Sequence, residues 1–158
     1  MRQLHLFAAF LLCAAGPAQQ AQTPHDAGLK ACTLLTQADV QAVSGAKAGP
    51  PQSTAREPHV CSYSAGPYGN VDLVAAPTRP GESADDLLKS TQAHMRMEEV
   101  KGIGDRSILT IPGPGMTQLN TYKGPIHLCL TVQIANTSPA RQRATAEQLM
   151  RKMLSRLP

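Results

Sequence analysis

The chain contains no tryptophan, and its two phenylalanines, Phe7 and Phe10, both lie near the start. Only Tyr63, Tyr68 and Tyr122 are left to supply rings to a folded body. The core must therefore be built from Leu, Ile, Val, Ala and Met, which bury less area per residue, and stability then leans on a further constraint such as a covalent link. Beyond Ala15 no apolar run approaches the ~20 residues that a membrane helix needs. The chain also lacks a Gly-x-Ser-x-Gly elbow, a phosphate-cradling glycine loop, a Cys-x-x-Cys pair and a His-Glu-x-x-His helix. Those absences remove the usual signatures of serine hydrolases, nucleotide enzymes, dithiol oxidoreductases and zinc peptidases.

What is present starts with an export signal. Arg2 precedes an apolar run from Leu4 to Ala15, too short to span a bilayer, and the small residues Gly16-Pro17-Ala18 follow, so cleavage is expected after Ala18. Cys13 is preceded by Leu12, where a lipidation motif has a small residue, and is read as part of the discarded leader. The expected organisation is a signal peptide over 1–18, a Gln-rich flexible lead-in over 19–30 and one domain over 31–158, in the periplasm or secreted. The formal charge of +4 falls to +3 without Arg2, a mild basicity that serves solubility and does not call for nucleic acid.

Along the mature chain, Thr36 with Asp39 three residues later forms a capping box. Leu35 and Val40 can staple the same helix start, and Gly45 ends the helix. Ala46 to Pro58 is rich in Pro, Gly and small polar residues and is expected as a loop. Val60–Ser64 and Val71–Ala75 follow as a hairpin. Ser83 and Asp86 repeat the capping logic ahead of a helix with Ala84, Leu87, Leu88, Thr91 and Met95 on one face; the acids Asp85 and Asp86 belong to its first turn and are structural. Glu98-Glu99 and Lys101 read as a solvated junction. Strands are then expected over 106–111, 116–122 and 126–134. In the last, Ile126, Leu128, Leu130, Val132 and Ile134 alternate with His127, Cys129, Thr131 and Gln133, as one buried face requires. Ser138-Pro139 opens a final helix with an apolar stripe of Ala146, Leu149, Met150, Met153, Leu154 and Leu157. This order predicts an α+β fold: a twisted antiparallel sheet of about five strands with three helices packed mainly on one face.

Three cysteines remain after the leader. In an oxidising compartment two should pair, and Cys32 with Cys61 is the preferred bridge because it ties the start of the first helix to the first strand across a long loop. Cys129 is then free, read first as an inert small hydrophobe. A sharper alternative notes that His59-Val60-Cys61 and His127-Leu128-Cys129 each place His and Cys on one side of a strand. Were those strands adjacent and Cys61 reduced, the four side chains could hold zinc or copper. His25 lies in the lead-in and His94 is a boundary residue. Ser62, His127 and Asp72 make a triad only on paper. The last helix carries Arg141, Arg143, Arg151, Lys152 and Arg156 against Glu147: a solvated basic face, with docking to an anionic membrane surface as the alternative. Gly102-Ile103-Gly104-Asp105 reads as a tight structural turn with Ile103 inward and Asp105 bonding nearby amides.

Cys32-Thr33-Leu34-Leu35-Thr36, the helix ending near Gly45, Cys61-Ser62-Tyr63 opening a strand, and Gly102-Ile103-Gly104-Asp105 together resemble a group of small exported bacterial proteins. These are the uncharacterised secreted or lipoprotein domains with a Cys-x-Leu-Leu-Thr start, best known from actinobacteria. The resemblance spans roughly residues 32 to 157. It implies an α+β fold with a helix-flanked antiparallel sheet, a bridge between the first and second mature cysteines, and no established enzymatic activity. The chain departs from the group in lacking a lipidation cysteine and in carrying Cys129. The resulting expectation is a non-enzymatic binding domain for a small molecule or protein partner, with no cofactor. A metal-binding or redox protein using Cys129, His127 and His59 is the alternative, and a small hydrolase has no motif behind it.

Overall fold

A computed structural model describes residues 29–91 and 96–158. The expected leader, its cleavage point, Cys13, His25, His94, Met95 and all of the lead-in before Leu29 lie outside the described residues.

Thr36 and Asp39 form a complete capping box: Asp39 N–H donates to Thr36 Oγ1, and the Asp39 carboxylate accepts from Thr36 N–H. The helix they open, α2 (Gln37–Ser44), stops at Gly45, whose φ of 74° is the left-handed cap that glycine adopts without strain. Ahead of it stands a short α1 (Ala31–Leu34) that the sequence pattern had not announced. Ser83 and Asp86 cap α3 (Ala84–Thr91) in the same reciprocal way. Ser138 accepts from Arg141 N–H to start α4 (Pro139–Leu154).

The strands are β1 (Gln52–Thr54), β2 (Glu57–Ser64), β3 (Asn70–Pro77), β4 (Met97–Val100), β5 (Arg106–Thr110), β6 (Met116–Lys123) and β7 (Ile126–Gln133). They form one antiparallel sheet in the order β1-β2-β3-β7-β6-β5-β4. The α+β class with an antiparallel sheet is therefore correct, but among the described residues there are seven strands instead of about five, and four helices instead of three. The Ala46–Pro58 segment is not all loop, since β1 and the start of β2 lie within it, and Glu98-Glu99 belongs to the edge strand β4. These missed pieces are three or four residues long or interrupted by proline, too short for a periodic signal.

Alternation sorts the sheet into two faces. Leu73, Leu119, Leu128, Leu130 and Val132 point to the main core, where they meet Leu34 and Val40 from the first two helices, Leu35 from between them, and Ala146, Leu149, Met150 and Met153 from α4. The stripe expected along α4 lies on the sheet. On the other face the covering is smaller: Ala84, Leu87 and Leu88 of α3 pack with Ile108, Tyr122 and Met97 at the β5 end. Gly102-Ile103-Gly104-Asp105 folds tightly, with both glycines at positive φ and Ile103 buried. Asp105 accepts from Gly124 N–H and Lys123 Nζ, both at 2.7 Å, which ties this turn to the β6–β7 turn.

Candidate functional site

The second face of the sheet, which α3 covers only at the β5 end, carries His127 and Cys129 of the residues singled out for chemistry. The Gly124-Pro125 turn sets the register of its centre: Lys123 pairs with Ile126, so Tyr122 falls opposite His127, Asn120 opposite Cys129 and Gln118 opposite Thr131. On the other flank of β7, Ala76, Val74 and Asp72 stand opposite His127, Cys129 and Thr131. Most of these positions are half-buried, forming a broad polar surface with Val60 and Val74 as its apolar part.

Around β7 the polar side chains are linked. Thr110 Oγ1 donates to Gln118 Oε1 at 3.2 Å, which orients the Gln118 amide so that its Nε2 donates to Cys129 Sγ at 2.8 Å. His127 Nε2 stands 3.2 Å from Asn120 Oδ1, and because that oxygen can only accept, the imidazole carries its proton on Nε2. The ring lies flat on Tyr122, with centroids 4.6 Å apart and planes 7° from parallel.

Burial governs the protonation of the pair. It pushes the Cys129 thiol above its ordinary value, and the donors from Gln118 and Thr131 offset only part of that. Burial likewise lowers His127, with Glu82 opposing. Thiol and imidazole are both held neutral, the reverse of the thiolate–imidazolium couple that a nucleophilic cysteine needs. Tyr122 is raised by the same desolvation, then by the neighbouring charges of Glu82, Cys129 and Asp86.

The four-donor metal arrangement is not assembled. Cys61 is bonded to Cys32, with an S–S distance of 1.99 Å and the Cα atoms 5.1 Å apart. Strand β3 separates β2 from β7. His59 and Cys61 also lie on the opposite face from His127 and Cys129, because Val60 and Ser62 are the β2 residues that register with Val74 and Asp72. Among the described residues no three His, Cys, Asp or Glu side chains come together as metal donors. The paper triad fails as well. Ser62 and Asp72 are cross-strand neighbours, but His127 lies four residues along β7 from the position facing Asp72, about 13 Å away at the strand rise.

The basic residues of α4 are engaged within the molecule. Arg143 bonds Glu98 and Glu147, Arg151 bonds Glu147, and Arg141 donates to Val43 O. Lys152 and Arg156 both reach Asp39. Arg141, Arg151, Lys152 and Arg156 remain exposed, so the basic face is solvated as expected and is at the same time tied by these contacts to α2 and to the sheet edge.

Gln118, Asn120 and Tyr122 were not singled out in the sequence, because β6 carries polar residues on both alternations. The signal that could have found them is the two-residue turn, which fixes their partners on β7 by counting. No protein-family model, curated protein or solved structure matches this chain.

Proposed function

We propose that the protein is an exported, non-enzymatic domain that binds a small molecule or protein partner on the open face of its sheet. The observation that carries this reading is a pair of adjacent polar chains, Thr110–Gln118–Cys129 and Asn120–His127–Tyr122, on the face that α3 leaves partly uncovered. Half-buried Gln118, His127, Cys129 and Thr131 offer neutral polar groups there, held in fixed positions by the buried Thr110, Asn120 and Tyr122 beneath them. The neutral states of Cys129 and His127 argue against nucleophilic catalysis. Export is supported by the Cys32–Cys61 bridge, a type of link that persists in oxidising compartments. Among the described residues no helix is long and apolar enough to cross a membrane. The metal or redox alternative loses His59 to the other face and retains only His127 and Cys129 as donors.

Native mass spectrometry of the protein purified from the export fraction of its own host tests the reading. A bound species that is lost in His127→Ala and in Gln118→Ala supports it. A species retained by both variants, or none in the wild type, contradicts a site on this face.

A further inference from the structure

Away from the sheet face, a cleft of about 420 Å³ opens where three loops meet: the β2–β3 turn, the β5–β6 turn and the segment from β7 into α4. Its size lies within the range of about 300–1,000 Å³ usual for small-molecule sites. Tyr68 stands on its rim, and at 81 % exposure this ring is the most exposed large hydrophobic side chain among the described residues. The remaining lining is uncharged, with polar groups from Gln133, Asn136, Thr137, Ser138 and Gln142 beside the apolar Ile134 and Ala135.

Gln142 is the most telling of these. It is only 2 % exposed, and its Oε1 has no hydrogen-bond partner among the described residues. Its Nε2 is held weakly, at 3.5 Å from both Ile134 O and Thr137 O. A buried carbonyl oxygen left unpaired costs free energy, and because Gln142 lines the cleft, a donor bound there would relieve that cost.

The lining narrows the chemistry of that donor. No charged side chain lines the cleft, so an anionic or cationic ligand finds no counter-charge. Two amides of the first turn of α4 are also occupied, with Arg141 N–H on Ser138 Oγ and Gln142 N–H on Ser138 O, and Pro139 has none to give. A purely apolar ligand would leave the amides and hydroxyls unpaired. A neutral ring rich in hydroxyls satisfies all of these conditions, because each hydroxyl both donates and accepts while the C–H face of the ring can lie on an aromatic side chain. We infer that this cleft is a binding site for a neutral sugar, with Tyr68 as the stacking platform and Gln142 as an acceptor at its floor. The site is separate from the sheet face, so either can fail without the other.

Amide chemical-shift titration of the full chain with methyl α-D-glucoside, methyl α-D-mannoside and N-acetylglucosamine tests the inference. Saturable shifts are expected at Tyr68, Asn136 and Gln142 with at least one of them, at a Kd on the order of millimolar. Tyr68→Ala changes only an exposed side chain and should weaken binding about threefold to tenfold, the range of an aromatic contact. Gln142→Met, which keeps length and removes the acceptor, should weaken it further. Asn136→Gly suits the φ of 58° at that position and removes one amide without disturbing the loop. The absence of a saturable shift with all three sugars would overturn the inference, as would shifts at these residues that Tyr68→Ala leaves unchanged.

Discussion

Arg156 Nη1 lies 2.6 Å from Asp39 Oδ2 and 3.0 Å from Leu34 O, so one guanidinium at the end of α4 closes both the capping box of α2 and the last carbonyl of α1. Asp39 also receives Lys152 Nζ at 3.1 Å. The end of the chain is thereby pinned to the neighbouring helices α1 and α2, 117 to 122 residues away in sequence. Arg156→Ala should cost roughly 1.5–3 kcal/mol, the range for a hydrogen bond to a charged group. Urea unfolding of the single and double variants with Asp39→Asn checks it, and the two effects should fall short of adding.

The same site sets an acid limit. The Arg156 guanidinium, with Thr36 and Lys152, holds the Asp39 carboxyl far below the usual carboxylate range despite the opposing effect of burial. A carboxyl depressed in the folded state contributes its full stabilisation above its unfolded value, near pH 4, and loses it progressively as the pH falls below that point. Unfolding free energies between pH 6 and pH 2 should drop, and Asp39→Asn should flatten that drop.

Cys32 and Cys61 are 29 residues apart, and closing a loop of that size contributes about 3–4 kcal/mol in the chain-entropy account. With few aromatic rings in the core, this is a large fraction of a typical domain's net stability. Reduction of the bridge, or the double change to alanine, should lower Tm by about 10–15 °C in a calorimetric scan.

Two glycines of one turn should respond differently to alanine. Gly102 has positive φ with open space around it, so Gly102→Ala should cost about 1 kcal/mol of backbone strain. At Gly104 the added Cβ would also come within 2.8 Å of Tyr122 O and 2.6 Å of Thr121 Cγ2, and the cost should rise to about 2–3 kcal/mol or more. Denaturation midpoints of the two variants provide the comparison.

The thiol of Cys129 should resist alkylation at neutral pH, with its iodoacetamide rate rising only above its ordinary value near 9. Gln118→Ala removes a donor that favours the thiolate and should move that midpoint higher. His127 should titrate below 6.5 by NMR. Because the unfolded imidazole takes its proton first as the pH falls, burying the ring neutral stabilises the fold above that pH and loses this contribution below the folded value.

Local rules carried much of the fold into view. Capping chemistry at Thr36, Ser83 and Ser138, the glycine stop at Gly45, and the strict alternation along β7 each act within a few residues and are visible in a single sequence. The edge strands β1 and β4 were not, since side chains such as Glu98 and Glu99 are solvated and leave no buried period. The pairing of β3 with β7 is non-local, joining residues such as Val74 and Cys129 that no local pattern connects. That pairing decided the site. His127 and Cys129 lie out of phase with Leu128 and Leu130, whereas Cys61 is in phase with the buried Tyr63, so the two His–Cys pairs face opposite sides of the sheet.

Intact mass analysis without reduction, on the protein recovered from the export fraction of its host and combined with thiol titration, addresses the central claim of an exported, disulfide-locked binding domain. The expected result is a chain beginning after Ala18, with Cys32 and Cys61 joined and Cys129 as the one titratable thiol. A cytosolic chain that retains Met1, with Cys32 and Cys61 both reduced, would contradict the account.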